Sequence, residues 1–280
     1  QFAPERFAVL SGIVNATGML GAAIGAVALS SAIEVSGWRN VFLISGAAGL
    51  GLFLLALLFL HGVRDAEARN DNLLSPLRTV LSSPRIWLIA VLGALYYMPV
   101  NVFGGLWGQQ EMIKDHALSP VQAETAISMI YWGMAAGSIT AGLISDWLGH
   151  RKWLVVISAL LAAAAYALAI YGSSTSLPQT AALLFIAGFF GGGQMLTFAM
   201  AKEGEPVEVS GSIIAFVNMI GIGGALIFQP LLGYLLDLQH GDFALATSTI
   251  PLCLLASALL AMLVREDRHP DHISAVKTTP

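Results

Sequence analysis

The chain has 280 residues, of which 56% are apolar and only 11% charged, and its formal net charge is −4. A soluble domain carries about 25% charged residues, so this composition excludes a protein whose surface mainly faces water, and lipid is the solvent that fits. The single cysteine, Cys253, lies in an apolar stretch and has no second cysteine with which to form a disulfide or a paired-cysteine metal site.

Eight apolar stretches follow one another along the chain. A bilayer core about 30 Å thick is crossed by about 20 apolar residues of helix, and a helix satisfies its own backbone polar groups there. No stretch alternates with the period of two that a membrane barrel strand shows. The sequence therefore predicts eight transmembrane helices, over residues 9–33, 41–60, 86–108, 125–145, 153–172, 180–201, 212–236 and 244–264.

The basic residues predict how these helices face. With eight crossings, eleven Lys and Arg residues fall on one side of the membrane and only two, Arg39 and Lys114, on the other. Under the positive-inside rule the richer side is cytoplasmic, so both termini are predicted to be cytoplasmic, in a plasma membrane or a bacterial inner membrane. The first stretch opens within ten residues of Gln1 with no initiating Met, so we expect a truncated chain.

A short motif lies between the fourth and fifth stretches, on the predicted cytoplasmic side. It consists of a glycine, an aspartate four residues on, a glycine three further on and a basic pair: Gly142, Asp146, Gly149, Arg151 and Lys152. Glycine lets the chain reverse, an aspartate at a helix end accepts hydrogen bonds, and the basic pair holds the loop inside. The motif resembles the signature loop of the major facilitator superfamily, although Trp147 and His150 stand where a basic residue is usual.

The order of the elements resembles the same family. Arg6 precedes a glycine-rich stretch, and the long loop over 61–85 falls where the family joins its two six-helix halves. The resemblance implies an all-α integral membrane protein with a partial fold of that family: a complete second six-helix bundle and the last two helices of the first. The implied domains are the last two helices of the N-terminal bundle (1–62), a cytoplasmic inter-bundle loop (63–85), the C-terminal bundle (86–264) and a cytoplasmic tail (265–280).

Small residues recur at spacings of three and four in the first stretch, at Gly18, Gly21 and Gly25. The pattern is close to a motif of drug antiporters of the family, in which proline follows the last glycine; Ala26 stands there instead. One interpretation is that the chain is not a drug antiporter. The other is that small residues simply allow close helix packing, as we also expect of Gly133 and Gly137.

Neutral polar side chains form the candidate site, since no stretch holds a charged residue deep inside and Glu34, Glu111 and Glu124 lie at predicted outer ends. An amide or hydroxyl in hydrocarbon must bond a neighbouring helix or face a watered cavity, and both alternatives stay open here. Tyr97 and Asn101 share a helix face, with Pro99 between them able to bend the helix. The predicted substrate-cavity residues are Tyr97, Asn101, Tyr131, Gln194 and Asn218.

The resemblance also implies a gating role for the signature loop. In the family this loop packs against helix five when the cytoplasmic side is closed. We therefore expect the Asp146 carboxylate to bond backbone N–H groups around Arg6 to Leu10, or to pair with Arg6 itself. The alternative is that Asp146 only caps its own loop.

These features predict a secondary transporter that moves a small organic solute by alternating access, as an uptake carrier or proton-coupled symporter using a proton or sodium ion. The alternatives are a drug or metabolite efflux antiporter of the same fold, a membrane sensor that does not transport, and a membrane-embedded enzyme. The chain has no nucleotide-binding, hydrolase-nucleophile or zinc-protease motif. We therefore expect no enzymatic activity, no cofactor, no metal site and no nucleic-acid partner, and a monomer in the lipid bilayer.

Overall fold

The computed structural model describes residues 7–59, 74–172 and 176–265, and all regular structure in them is helical. A π-helix, Pro99–Trp107, joins α4 to α5, and a 3-10 turn, Gly192–Met195, joins α8 to α9. The α-helices are α1 (Phe7–Ser36), α2 (Trp38–Phe59), α3 (Leu74–Ser82), α4 (Pro84–Met98), α5 (Gly108–Asp115), α6 (Pro120–Leu148), α7 (Lys152–Tyr171), α8 (Leu177–Gly191), α9 (Leu196–Lys202), α10 (Val207–Gly223), α11 (Ala225–Leu238), α12 (Phe243–Thr247) and α13 (Thr249–Leu263).

Eight helical runs in the described residues are long and apolar enough to cross a membrane, which confirms the predicted number. The third run extends further than predicted, because the polar residues of α5 continue the helix as far as Asp115. We call these runs the first to eighth spans: Gly12–Ser36, Trp38–Phe59, Pro84–Asp115, Pro120–Leu148, Lys152–Tyr171, Leu177–Lys202, Val209–Leu238 and Phe243–Leu263.

Local sequence explains where α6 begins and ends. Ser119 and Gln122 form a capping box at its start, in which each side chain bonds the backbone of the other residue. Gly149 follows its last residue with φ of 65°, and its N–H donates to the oxygen of Ser145 at 3.0 Å. This left-handed conformation suits glycine, so the signature loop turns at its second glycine.

Glycines bring α6 close to α8. A Cβ atom added at Gly133 would overlap the backbone of Phe185, and one added at Gly137 would overlap the backbone of Phe189. Because the helix backbones approach this closely, the packing interpretation applies to both glycines. Elsewhere in the bundle α6 packs on α1, α13 on α7 and α4, and α10 on α4.

The first span packs on α6, but most of its side chains, like most of those of the second span, are not buried by the described chain. No atom of another described element lies within 4 Å of a Cβ placed at Gly18, Gly21 or Gly25. α2 packs on α1, and Val41 is its one buried residue. Large apolar side chains such as Phe59, which is 82% exposed, cover the rest of α2. A surface of this kind faces lipid or other protein.

The loop predicted over 63–85 contains a helix, α3, which packs against α10 and α4. Residues 60–73 and 266–280 lie outside the described residues. The division into two bundles, a loop and a tail therefore stays a prediction.

Candidate functional site

The third span is interrupted near its middle by the π-helix Pro99–Trp107. Pro99 has no backbone N–H and cannot continue the α-helical hydrogen bonding at its position. At the other end of the π-helix the Gly108 N–H donates to the oxygen of Phe103, five residues back. π-Helical turns within α-helices are frequent at functional sites.

Three hydrogen bonds tie the π-helix to the seventh span. The Asn101 side chain donates to the oxygen of Gly221 at 3.0 Å. In return the Gln229 side chain donates to the backbone oxygen of Asn101 at 2.8 Å, and Trp107 Nε1 donates to the backbone oxygen of Gln229 at 3.1 Å. The amide nitrogen of Asn101 thus bonds a neighbouring helix, while its side chain remains half-buried.

Tyr97 and Tyr131 both lie beside this π-helix. The Tyr131 hydroxyl lies over Gly104, where an added Cβ would be 3.0 Å from it. Tyr97 is half-buried, and its hydroxyl bonds nothing in the described residues. The Tyr131 hydroxyl likewise bonds nothing in the described residues, so the structure leaves both hydroxyls available to a ligand beside the π-helix.

The two remaining cavity candidates lie in different surroundings. Gln194 lies in the 3-10 turn, is 3% exposed, and has an amide oxygen without a hydrogen-bond partner in the described chain. Asn218 is exposed on α10, and no hydrogen bond joins it to the residues that the structure describes. That all the candidates converge on one ligand stays a prediction.

Two further tyrosines line this region from the buried side. Tyr96 bonds Ser158 Oγ and donates to the oxygen of Phe190, each at 2.8 Å, and so ties the third span to the fifth and sixth. Tyr166 packs edge-on against Phe103, and its buried hydroxyl has no partner in the described chain. Sequence reasoning missed Tyr166, although a tyrosine hydroxyl within the alanine-rich part of the fifth span was a signal of it.

A cluster of charges surrounds the signature loop. Arg151 bonds the carboxylate of Glu203 and lies 3.6 Å from Oδ1 of Asp146. Arg85 donates to the backbone oxygens of Glu203 and Met200, each at 2.9 Å. The loop is thereby attached to the end of the sixth span and the start of the third. Sequence reasoning missed Glu203 and Arg85, because both lie at helix ends that are far from the loop in sequence.

The other basic residue of the loop joins it to the eighth span. Lys152 Nζ donates to the oxygens of Met262 and Val264, at 2.6 and 2.9 Å. A cation is favourable at a helix C-terminus, where the last carbonyl groups lack helical partners. Gly142, the first residue of the motif, is buried within α6.

Asp146 pairs with a residue of its own loop, Arg151. Arg6 lies outside the described residues, as do the side chains of 7–11. The predicted contact between Asp146 and the start of α1 therefore stays a prediction.

Comparison with known proteins gives the family. The sequence model of the Major Facilitator Superfamily matches residues 1–110 and 89–279, which together span nearly the whole chain. This chain belongs to the major facilitator superfamily. The resemblance seen in the signature loop is confirmed, and with eight apolar spans the chain is an integral membrane protein of a transport family.

Two relatives within the major facilitator superfamily are both named membrane sensor protein UhpC. The protein of Salmonella typhimurium strain LT2 is 32% identical over 190 residues, which cover 66% of the chain and 42% of that protein. The protein of Escherichia coli strain K12 is 27% identical over 255 residues, which cover 81% of the chain and 57% of that protein. The chain thus spans about half the length of these relatives.

Proposed function

We propose that this chain takes part in the secondary transport of a small organic solute by alternating access. The interrupted third span carries the proposal, because carrier sites commonly form near mid-membrane where a spanning helix is discontinuous. Beside the π-helix Pro99–Trp107 the Tyr97 hydroxyl is free to bond a solute, and the Tyr131 hydroxyl lies over Gly104 of the same π-helix.

The chemistry of these side chains favours an organic solute over a bare inorganic ion. Tyr97, Tyr131 and Asn101 offer hydroxyl, amide and aromatic surfaces and no fixed charge. Ligand sites for organic molecules combine apolar and aromatic walls with a few placed polar groups. We propose Gln194 and Asn218 as further cavity residues, reached in other conformations of the carrier.

We further propose that the signature loop gates the cytoplasmic side. The first and fourth spans run in opposite directions, and Ser138 Oγ donates to the oxygen of Gly12 at 3.2 Å. Distances along the helix axes can be counted from that contact, at a rise of about 1.5 Å per residue. Asp146 lies about 12 Å from it along α6. Phe7, the start of α1, lies about 7.5 Å from it in the same direction. Asp146 would then lie just beyond the N-terminus of α1, where unpaired N–H groups and the helix dipole attract an anion.

The energy source and the location complete the proposal. We propose a proton or sodium gradient as the driving force, and uptake as the direction, because Ala26 replaces the proline of the drug-antiporter motif. The chain would reside in a plasma or bacterial inner membrane with both termini cytoplasmic, and act as a monomer.

Transport in liposomes tests the proposal. The full-length carrier is reconstituted and offered a panel of labelled small organic solutes under an imposed proton or sodium gradient. We expect gradient-driven uptake of at least one solute, with competition by its chemical analogues. A solute that stabilises the protein against heat but is never exchanged across the membrane would contradict transport.

A second candidate function is solute sensing without transport. Both relatives reported above are named membrane sensor proteins, and this observation favours the candidate. A sensor of this fold would bind the solute and change conformation without completing the transport cycle. Solute-dependent accessibility of the signature loop, together with no counterflow in the same liposomes, would favour the sensor.

A further inference from the structure

The short helix α3 lies directly before the third span and has a buried and an exposed face. It packs on α10 and α4, and Val80 is fully buried. The opposite face carries Leu77, Arg78, Leu81 and Ser82, which are all exposed and line an open groove. Because residues four apart share a helix face, Leu77 and Leu81 form an apolar edge, and Arg78 and Ser82 form a polar edge beside it.

The chain changes direction between α3 and the third span. Ser83, which separates the two helices, has an extended backbone, and its hydroxyl accepts a hydrogen bond from the Ile86 N–H and so caps α4. The third span begins at the next residue, Pro84. We therefore expect α3 to lie near the level at which this span leaves the hydrocarbon, on the side that the basic residues predict to be cytoplasmic.

The apolar edge of α3 continues onto the exposed face of the third span. Trp87 Nε1 donates to the backbone oxygen of Leu81 at 3.0 Å, so the ring lies beside the end of α3. Trp87 and Val91 are four residues apart on the span, and both are exposed. Tryptophan is enriched at the ends of membrane spans, where its ring lies at the level of the lipid headgroups. The continuous surface from Leu81 to Val91 therefore favours lipid as the neighbour of α3.

Arg78 adds a positive charge to this surface. No hydrogen bond or ion pair joins its side chain to another residue of the described chain. Arg85, the next basic residue, differs in that it already bonds the backbone oxygens of Glu203 and Met200. An arginine can lay its apolar stem along an apolar surface and extend its guanidinium to a phosphate. Anionic phospholipids give the cytoplasmic leaflet a negative surface potential that attracts a residue of this kind.

We propose that the exposed face of α3, formed by Leu77, Arg78, Leu81 and Ser82, is a docking site for anionic phospholipids of the cytoplasmic leaflet. Leu77 and Leu81 enter the boundary between headgroups and acyl chains, as the apolar face of an interfacial helix does. The Arg78 guanidinium donates hydrogen bonds to a headgroup phosphate. This site goes beyond the proposed transport function, since it requires neither a solute nor an ion gradient.

Fluorescence quenching of the full-length protein in lipid nanodiscs tests which medium covers α3. In a Cys253→Ser background, Ser82→Cys carries a fluorophore on the exposed face. His150→Cys is the matched position, exposed in the turn between the fourth and fifth spans. In discs that contain phosphatidylglycerol, we expect a nitroxide-labelled lipid to quench the Ser82→Cys label more than the His150→Cys label. We expect iodide in the water to show the opposite order.

Two other results would overturn the proposal. Quenching of the Ser82→Cys label by iodide alone would show that this face of α3 lies in water. A Ser82→Cys label that neither quencher reaches would show that protein, and not lipid, covers the face.

Arg78→Gln tests the headgroup contact, and Arg78→Lys, which keeps the charge, is its control. Phosphatidylglycerol is titrated into phosphatidylcholine discs, and quenching of the Ser82→Cys label by the nitroxide lipid is followed. We expect Arg78→Gln to require about fivefold more phosphatidylglycerol for half-maximal quenching, the effect of one basic residue near an anionic surface. Arg78→Lys should stay close to the parent protein. Identical titrations for Arg78→Gln and the parent would overturn docking of anionic lipid at α3.

Discussion

Tyr96 and Tyr97 show how neighbouring residues take opposite roles at the same depth of one helix. Tyr96 is buried, and its hydroxyl is bonded to Ser158 and Phe190 of other spans. Tyr97 is half-buried and has an unused hydroxyl in the described chain. A hydroxyl that already serves the fold is not available to a ligand, so only the second tyrosine is a good candidate for solute binding.

This contrast gives the first prediction. Tyr97→Phe removes one hydroxyl and should weaken solute affinity about two- to tenfold, as expected for loss of one hydrogen bond of about 0.5–1.5 kcal/mol, with membrane level unchanged. Tyr96→Phe is the control and should lower thermal stability without a comparable change in affinity. Affinity is measured by solute titration of the purified carrier. Unchanged affinity and reduced membrane level for Tyr97→Phe would make Tyr97 structural.

Asp146 gives the second prediction at this scale. Asp146→Asn keeps the shape of the side chain and removes the anion that we place at the N-terminus of α1. Such an anion contributes about 0.3–1 kcal/mol, and up to roughly 2 kcal/mol when partly buried, so the variant should shift the carrier toward its inward-open state. Accessibility of cysteines in the cytoplasmic cavity measures the shift.

Glu203→Gln is the control for this experiment. It removes the other carboxylate that Arg151 bonds and leaves the Asp146 charge in place. If the Asp146 carboxylate acts on α1, labelling should increase more for Asp146→Asn than for the control. Equal labelling of both variants would mean that Asp146 acts only through Arg151 and caps its own loop.

At the level of elements, close backbone packing distinguishes two glycines of α6 from those in the middle of α1, although both helices are rich in small residues. Gly133 and Gly137 of α6 meet the backbone of α8, whereas a Cβ placed at Gly18, Gly21 or Gly25 of α1 meets no described atom within 4 Å. A third prediction follows from the space that each glycine has. Gly137→Ala should overpack the α6–α8 contact and destabilise the protein by about 1–3 kcal/mol.

Gly18→Ala is its matched control and should leave thermal stability unchanged, because its added methyl group meets no described atom within 4 Å. The thermal midpoints of the purified variants compare the two positions. A Gly137→Ala protein as stable as the wild type would show that the helices can move apart at no cost. A loss of stability in Gly18→Ala would instead reveal a contact of α1 outside the described residues.

For the whole molecule, the distribution of basic residues predicts the orientation of every span. Ala117 lies in the turn between the third and fourth spans and His150 in the turn between the fourth and fifth, and both are exposed. In the Cys253→Ser background, an impermeant maleimide should label Ala117→Cys in intact cells and His150→Cys only after permeabilisation. The reverse pattern would place the termini outside and contradict the assignment of the signature loop to the cytoplasm.

The sequence by itself determined the eight spans, the all-helical class and the family. These properties are local, because the length and apolarity of one stretch decide whether it crosses a bilayer, and the signature loop is a single short segment. Gly149 is of the same kind, since the turn after α6 depends on the conformation of one residue. Tyr97 and Asn101 could be chosen as candidates, because an uncharged polar residue in an apolar span is visible in sequence.

Only the tertiary structure decided which polar groups meet. Arg151 and Glu203 are 52 residues apart, and Asn101 and Gln229 bond across the third and seventh spans. Glu111 read as an acid at a helix end, yet its side chain is only 2% exposed once the helices have packed. Such pairings arise when whole helices pack, so no pattern near either partner announces them. Whether an amide bonds a helix or a solute is decided in the same way, by the neighbour that the fold places beside it.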